Sequence, residues 1–507
     1  MLKKRGAGVL LHISSLPSPY GIGVFDENAK HFADRIAEMG FTYWQVLPLC
    51  PTDDSGSPYC SPSAFAGNYM FIDPKQLKDM GLVTNGDVND NIFDGTPYTA
   101  QFEFAKEHRL KLLKKAFLGI DENLAKEIKE FELNNPWLTD YSLYMAIKEI
   151  ENEKPWWEWS DEHAHYYRCI EDIYSYEDKA AFWKFVQYIF YKQWNGIKKY
   201  ANQKGIAIIG DMPIYVAMDS VDVWSNLPMF LIDEKTLKTE KVAGVPPDYF
   251  SEDGQLWGNP IYDWKSMKKD SYGWWLMRIE QSLKTYDTVR IDHFRAFASY
   301  WEIPADSDTA KVGEWVDGPG MDLFCTVFEK FGNDVPIIAE DLGVFGEDVV
   351  RLLEDTHFPG MKVIQFGFDP NSDSSHLPHN ADKNSINYVG THDNNTLLGW
   401  LWEASEDERK FALDYCHFKG DNWGEGGYYS QSCRSIIEAV WQSASNLAII
   451  SLQDMCGFGS DARMNMPGVA EKNWRFRTTT ETIDNIDRDY FIHINSMYRR
   501  MYPAFEK

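Results

Sequence analysis

The chain has 507 residues, of which 44% are hydrophobic and 25% charged; this is the balance of a globular protein, and it excludes disordered, collagen-like and coiled-coil classes. A formal net charge of −27 repels phosphate backbones and anionic lipid alike, so neither nucleic acid nor membrane is expected as a partner, and a neutral substrate fits better. The seven Cys are scattered, form no CxxC pair and are odd in number, which argues against a disulfide framework or a zinc finger and for reduced thiols in a cytoplasm.

In chain order, the basic start (Lys3, Lys4, Arg5) leads into an apolar stretch, Val9–Leu11, too short for a signal-peptide core. A first strand is predicted over Val9–His12, a helix over Asn28–Met39 and a second strand over Trp44–Leu49. About 155 residues then intervene, too many for a plain connection, so residues 50–180 are expected to form an inserted, mainly helical subdomain. Within it Ala100–Phe117, Leu124–Leu133 and Tyr141–Ile150 carry amphipathic spacing, and Trp156–Trp159 is an aromatic cluster. A helix over Phe182–Asn202 precedes the third strand, Ile206–Asp211. A second excursion, residues 218–267, contains the Gly- and Pro-rich run AGVPPDYFSEDGQLWGNPIYDW (Ala243–Trp264). That run is expected to lack regular structure and to be a candidate lid.

Helix Gly273–Thr285, strand Val289–Phe294, helix Asp322–Phe331, strand Pro336–Asp341, helix Glu347–Thr356, strands Lys362–Phe368 and Asn387–Asp393, helix Ser435–Asn446 and strand Leu447–Asp454 complete the series. Eight apolar strands alternating with helices predict an α/β fold. It is a (β/α)8 TIM barrel, with inserted, mainly helical subdomains between barrel strands and one catalytic barrel over residues 1–507. A doubly wound open sheet is the structural rival, but no GxGxxG follows the first strand.

Barrel enzymes draw catalytic groups from the C-terminal ends of several strands, and here those ends are acidic. Asp211, Asp292, Glu340, Asp393 and Asp454 all fall there, and Asp341 follows Glu340. Strand alternation puts Arg290 and Asp292 on one face, where the guanidinium favours an ionised carboxylate. Glu340 follows an apolar run, Pro336–Ala339, which should raise its pKa and keep it protonated near neutrality. One ionised and one protonated carboxyl are what retaining glycoside chemistry uses, with Asp393 as a third group stabilising the cationic transition state. For Asp341 and Asp454 an N-cap role for the following helix is an equal alternative. The 19 Trp offer flat apolar faces for sugar rings, although most such rings are core.

Other chemistries lack their signatures. The HxH pair His163–His165 falls in the helical insertion, where a surface pair is expected, and neither GxSxG nor a P-loop occurs. No cofactor and no metal are expected, with structural calcium left open.

At these residues the sequence resembles the 4-α-glucanotransferases, also called amylomaltases or disproportionating enzymes, of glycoside hydrolase family 77 in the α-amylase clan. The segments that carry the resemblance are GVLLHISSLPSPYGIG (Gly8–Gly23), SPYCSPSAFAGN (Ser57–Asn68), GDMPIYVAMDSVDVW (Gly210–Trp224), GVPPDYFSEDGQLWGNPIYDW (Gly244–Trp264), VRIDHFR (Val289–Arg295), IIAEDLG (Ile337–Gly343), GMKVIQFGF (Gly360–Phe368), YVGTHDNNT (Tyr388–Thr396) and RMNMPG (Arg463–Gly468).

The resemblance implies Asp292 as nucleophile, Glu340 as acid/base and Asp393 as transition-state stabiliser. It further implies that Ser57, Tyr59, Asp211, Trp257, Arg290, His392 and Asn465 contact sugar, with Trp257 on a mobile loop over the acceptor side. Maltooligosaccharides and α-1,4-glucans are the implied partners, and a monomer or homodimer is expected. Cys60 stands where a polar amide is expected, and Phe476 where Trp or Tyr is commoner. No extra starch-binding module is expected before the barrel, and soluble maltodextrins are therefore the expected substrates. Two rivals stay open: a hydrolase of the same clan, and a glucan-binding protein without turnover.

Overall fold

A computed structural model describes residues 4–247, 252–343, 346–469 and 472–502. All eight predicted strands occur, as Gly6–Leu10, Tyr43–Gln45, Ala207–Pro213, Thr288–Asp292, Ile337–Ala339, Gly360–Val363, Ser385–Tyr388 and Leu447–Ser451. Numbered first to eighth along the chain, they make one parallel sheet in the order 5-4-3-2-1-8-7-6. The fifth and sixth strands close the ring without ladder pairing. Ala339 N donates to the Pro359 carbonyl at 3.0 Å, and Asp341 Oδ1 accepts from Met361 N at 2.5 Å. Gly360 makes room for this strap, since a Cβ there would lie 2.6 Å from Asp341 Oδ2.

Asp341 is therefore a seam between strands and not a helix N-cap. Asp454 is not the cap of its own following helix either. Buried in the short helix Leu452–Met455, its Oδ1 receives Leu397 N at 2.6 Å, at the first turn of the helix Leu397–Glu403. Both carboxylates satisfy backbone donors that burial has cut off from water.

Alternation sorts the strand residues into two cores. Leu10, Ala207, Ile209, Ile338, Met361, Val363, Ile386, Tyr388, Leu447 and Ile449 pack inside the barrel. Ile206, Ile208, Val289, Ile291, Ile337 and Ala339 face the helices outside. Continuing the inward series gives Asp211 after Ile209, Arg290 and Asp292 on the fourth strand, and Glu340 after Ile338. The residues that close the top of the interior are thus set by the same period that fills it.

The helices lie close to their predicted spans: Glu27–Glu38, Glu177–Gln203, Gly273–Thr285, Met321–Phe331, Glu347–Thr356 and Gln431–Gln442 around the barrel, and Phe102–Phe117, Glu122–Asn134 and Trp137–Ile150 between the second and third strands. None of the helices among the described residues is long and apolar enough to cross a membrane.

Two expectations are corrected. The run Ala243–Trp264 is not devoid of regular structure. Lys241–Val245 pairs antiparallel with Gln255–Pro260, inside a small sheet completed by Ser299–Pro304 and Glu314–Asp317. Pro260 is tolerated because Gln255–Pro260 is an edge strand, and a register shift between Val242 and Gly244 absorbs the irregular sequence. Residues 248–251 of the run lie outside the described residues. All the predicted strands but the third also run too far: the first, second, fourth and fifth end at Leu10, Gln45, Asp292 and Ala339, the sixth, seventh and eighth at Val363, Tyr388 and Ser451, and the residues beyond belong to loops and short helices. Strand ends leave the ladder where the backbone must turn to present side chains across the barrel mouth.

Candidate active site

The fourth strand supplies the centre of the site. Arg290 Nη1 donates to both oxygens of Asp211, each at 2.7 Å, and Nη2 donates to Asp292 Oδ1 at 2.8 Å. One buried guanidinium thus orients two carboxylates on neighbouring strands. Asp211 also accepts the Tyr59 hydroxyl at 2.7 Å, and that hydroxyl lies 2.9 Å from His392 Nε2. With its hydroxyl hydrogen donated to Asp211, the phenol oxygen accepts from His392 Nε2–H.

The chain continues to Asp393, whose Oδ1 stands 3.3 Å from His392 Nε2 and receives Asn465 Nδ2 at 2.6 Å. Asn465 N closes the loop by donating to the His392 carbonyl at 3.0 Å. His392 and Asp393 are therefore positioned by cross-links and not by a strand.

Glu340 is held from the other side. Its Oε2 accepts His293 N at 2.7 Å, and its Oε1 accepts Leu342 N at 2.7 Å. His293 directly follows Asp292 and adopts the left-handed conformation, φ 54° and ψ 46°, which is uncommon for a residue with a Cβ. This turn sends the backbone N–H to Glu340 while leaving Asp292 at the strand end.

Burial raises both carboxyls. Glu340 is pushed up to about 8, first by burial and then by the negative charge of Asp292, with Arg290 and the two amides opposing. Asp292 rises only to about 6, because the Arg290 cation offsets much of the effect of burial. Between these values Asp292 is an anion and Glu340 an acid, the division of labour that a nucleophile and a proton donor require.

The remaining predicted residues fall at different distances from this core. Trp257 lies on the strand Gln255–Pro260, and its ring meets His293 edge-on with centroids 4.8 Å apart; it is 36% exposed. Ser57 is one step removed: its Oγ receives Tyr59 N at 3.3 Å and so shapes the turn that presents Tyr59. Cys60 beside it is an exposed thiol. His163 is not a surface group, as it is half-buried with Nδ1 at 2.5 Å from Glu151 Oε1. Among the described residues no group of three or more His, Cys, Asp or Glu could hold a metal ion.

Three positions were missed by sequence reasoning. Arg463 donates to the Asp393 carbonyl at 2.6 Å and to the Asn465 carbonyl at 2.7 Å. Trp474 is buried against Tyr59 and His392, with centroids 5.6 and 5.8 Å away. His293 N braces Glu340. Arg463 sits inside RMNMPG and His293 inside VRIDHFR, so the signal was present in segments already singled out. A backbone donor, however, leaves no trace in residue type.

A parallel eight-stranded barrel whose mouth gathers Asp211, Asp292 and Glu340 around one arginine, with Asp393 beside them, defines a class, the (β/α)8-barrel enzymes with a carboxylate-lined mouth. Comparison narrows it. A family model described as 4-alpha-glucanotransferase matches residues 11–482. The 4-alpha-glucanotransferase of Clostridium butyricum is 42% identical over 502 residues, covering 97% of this chain and 100% of that protein. That of Streptococcus pneumoniae TIGR4 is 44% identical over 511 residues, covering 99% and 98%. The structure of amylomaltase from Streptococcus agalactiae in complex with acarbose superimposes with a TM-score of 0.93 at 39% identity, covering 98% of this chain and 100% of that one. The chain belongs to the 4-alpha-glucanotransferase family, glycoside hydrolase family 77, and is a glycosyl-transferring enzyme.

Proposed function

We infer that the enzyme transfers a segment of an α-1,4-glucan to the 4-hydroxyl of an acceptor glucan or glucose by a retaining double displacement. Asp292 attacks the anomeric carbon as Glu340 gives its proton to the departing glycosidic oxygen, leaving the glucan covalently on Asp292. The acceptor hydroxyl then loses its proton to Glu340 and displaces Asp292, restoring the original anomeric configuration. Asp393, tied to Asn465 and His392, binds hydroxyls of the sugar whose ring becomes cationic, and Tyr59, Asp211, Arg290 and His392 shape its pocket. Ser57 and Trp257 contact sugar further out.

The observation that carries this reading is the split between Asp292 and Glu340, which share one mouth yet titrate apart. The amylomaltase of S. agalactiae holding acarbose supports glucan as the ligand. On this reading residues 50–180 form a subdomain inserted into the single barrel. Residues 218–267, with a lid at 243–264, keep water from the intermediate so that sugar acceptors win.

Incubation with maltotriose tests it. Glucose together with longer oligomers is the expected ladder, whereas only shorter products would indicate hydrolysis, and no products at all would indicate a binding protein.

A further inference from the structure

The small sheet beside the barrel carries aromatic side chains that the chemistry at Asp292 leaves unused. Trp315 lies directly opposite Trp301, and their rings meet edge to face with centroids 5.2 Å apart. Across the sheet Trp301 opposes Gly244, which opposes Leu256, so Trp315, Trp301 and Leu256 share one face. Trp257, the next residue after Leu256, belongs to the other face, the one turned toward His293.

Two contacts tie the Trp315 face to the Glu340 side of the site. Arg295, in the turn that follows Asp292, lays its guanidinium over the Trp315 ring at 3.9 Å from the centroid, and its charge acts on both Glu340 and Asp348. Ser299 shares the face of Trp301 by alternation, and its Oγ donates to Asp348 Oδ2 at 2.6 Å. Asp348 stands in the first turn of Glu347–Thr356, the helix that follows Glu340. Despite these restraints Trp315 is 44% exposed. An indole fixed in orientation by a cation and left open to solvent is a preformed stacking surface.

Its position gives the occupant. On the transfer reading Glu340 gives its proton to the glycosidic oxygen, and Tyr59, Asp211, His392 and Asp393 shape the pocket of the sugar being transferred. Arg295 links that acid to Trp315, its charge reaching Glu340 while its guanidinium stacks on the ring, and so puts Trp315 on the side where glucose units attached through that oxygen would run.

We propose that Trp315, oriented by Arg295, is an outer acceptor-side platform that stacks on a glucose ring of a linear α-1,4-glucan beyond the first acceptor unit and sets the preference for longer acceptors. The proposal rests on the transfer reading above. Its step is binding only and leaves the covalent chemistry unchanged.

The test measures transfer from a fixed donor to glucose, maltose, maltotriose and maltotetraose with W315A and W315F. W315A is expected to raise KM roughly 5- to 10-fold for the longest acceptors while kcat and the KM for glucose hold, and W315F is expected to recover most of the loss. An equal change at every acceptor length, or none, overturns the platform. Absence of transfer by the wild type with every acceptor would overturn the transfer reading instead, so the two failures are distinguishable. Matching thermal melts of the variants confirm that the fold is intact.

Discussion

His293 gives its backbone N–H to Glu340 Oε2 at 2.7 Å from a left-handed conformation immediately after Asp292. The position of the proposed acid is thereby fixed by the chain that carries the proposed nucleophile, and neither can shift without the other.

Activity should follow a bell in pH. Below about 6 Asp292 takes up a proton and loses its proposed role as nucleophile, and above about 8 Glu340 has lost the proton that the proposed acid delivers. The logarithm of kcat/KM against pH is expected to be highest near neutrality, with limbs that belong to the pair. A profile flat from pH 5 to 9 would contradict the assignment.

Asp292→Asn should lower kcat by roughly three orders of magnitude or more, because the proposed nucleophile is lost while binding groups remain. Its negative charge also contributes to the high Glu340 pKa, so Glu340 should titrate lower in this variant. Carbon-13 NMR of labelled Glu340 reads that shift directly, and an unchanged titration would show that the two carboxyls do not face each other.

Removing the shared cation tests the other arm. Arg290→Met leaves Asp211 and Asp292 buried without their partner and should cost about 3–5 kcal/mol in denaturant unfolding. Since Arg290 opposes the rise of both proposed catalytic carboxyls, the pH profile of whatever activity survives should move upward. A profile that stays in place would assign Arg290 to stability alone.

Asn465→Ala removes the amide that donates to Asp393 at 2.6 Å. A loss of roughly 10- to 100-fold in kcat/KM is expected, in line with about 1–3 kcal/mol for a bond to a charged group. Steady-state kinetics with maltotriose would show it, and the melting temperature should change little because Asn465 is half-buried at the mouth.

Asp341→Ala makes the opposite contrast. The Met361 amide loses its acceptor at the seam between the fifth and sixth strands, and stability should fall by about 1–3 kcal/mol. Turnover per folded molecule should hold within a few-fold. A catalytic collapse with an unchanged melt would mean that Asp341 has a chemical role.

The sequence alone determined the eight strands, because a buried parallel strand must be a continuous apolar run and its alternation is fixed by the backbone. The same period placed Arg290 and Asp292 on one face, and the apolar run before Glu340 foretold its raised pKa. Only the tertiary structure decided which acidic strand ends meet in the mouth and which serve as seams. Asp341 and Asp454 look like Asp292 in one dimension, and the difference lies in whether a neighbouring backbone amide, distant in sequence, needs an acceptor.

The strand pairing around Gly244 and Pro260 was likewise hidden, since it depends on the partner strands Ser299–Pro304 and Glu314–Asp317 supplied from farther along the chain. So was the amide of His293, whose bond to Glu340 comes from a backbone angle. Residue type records what a side chain can do, but contacts made by the main chain, and partners brought together by closing a ring, exist only once the barrel has folded.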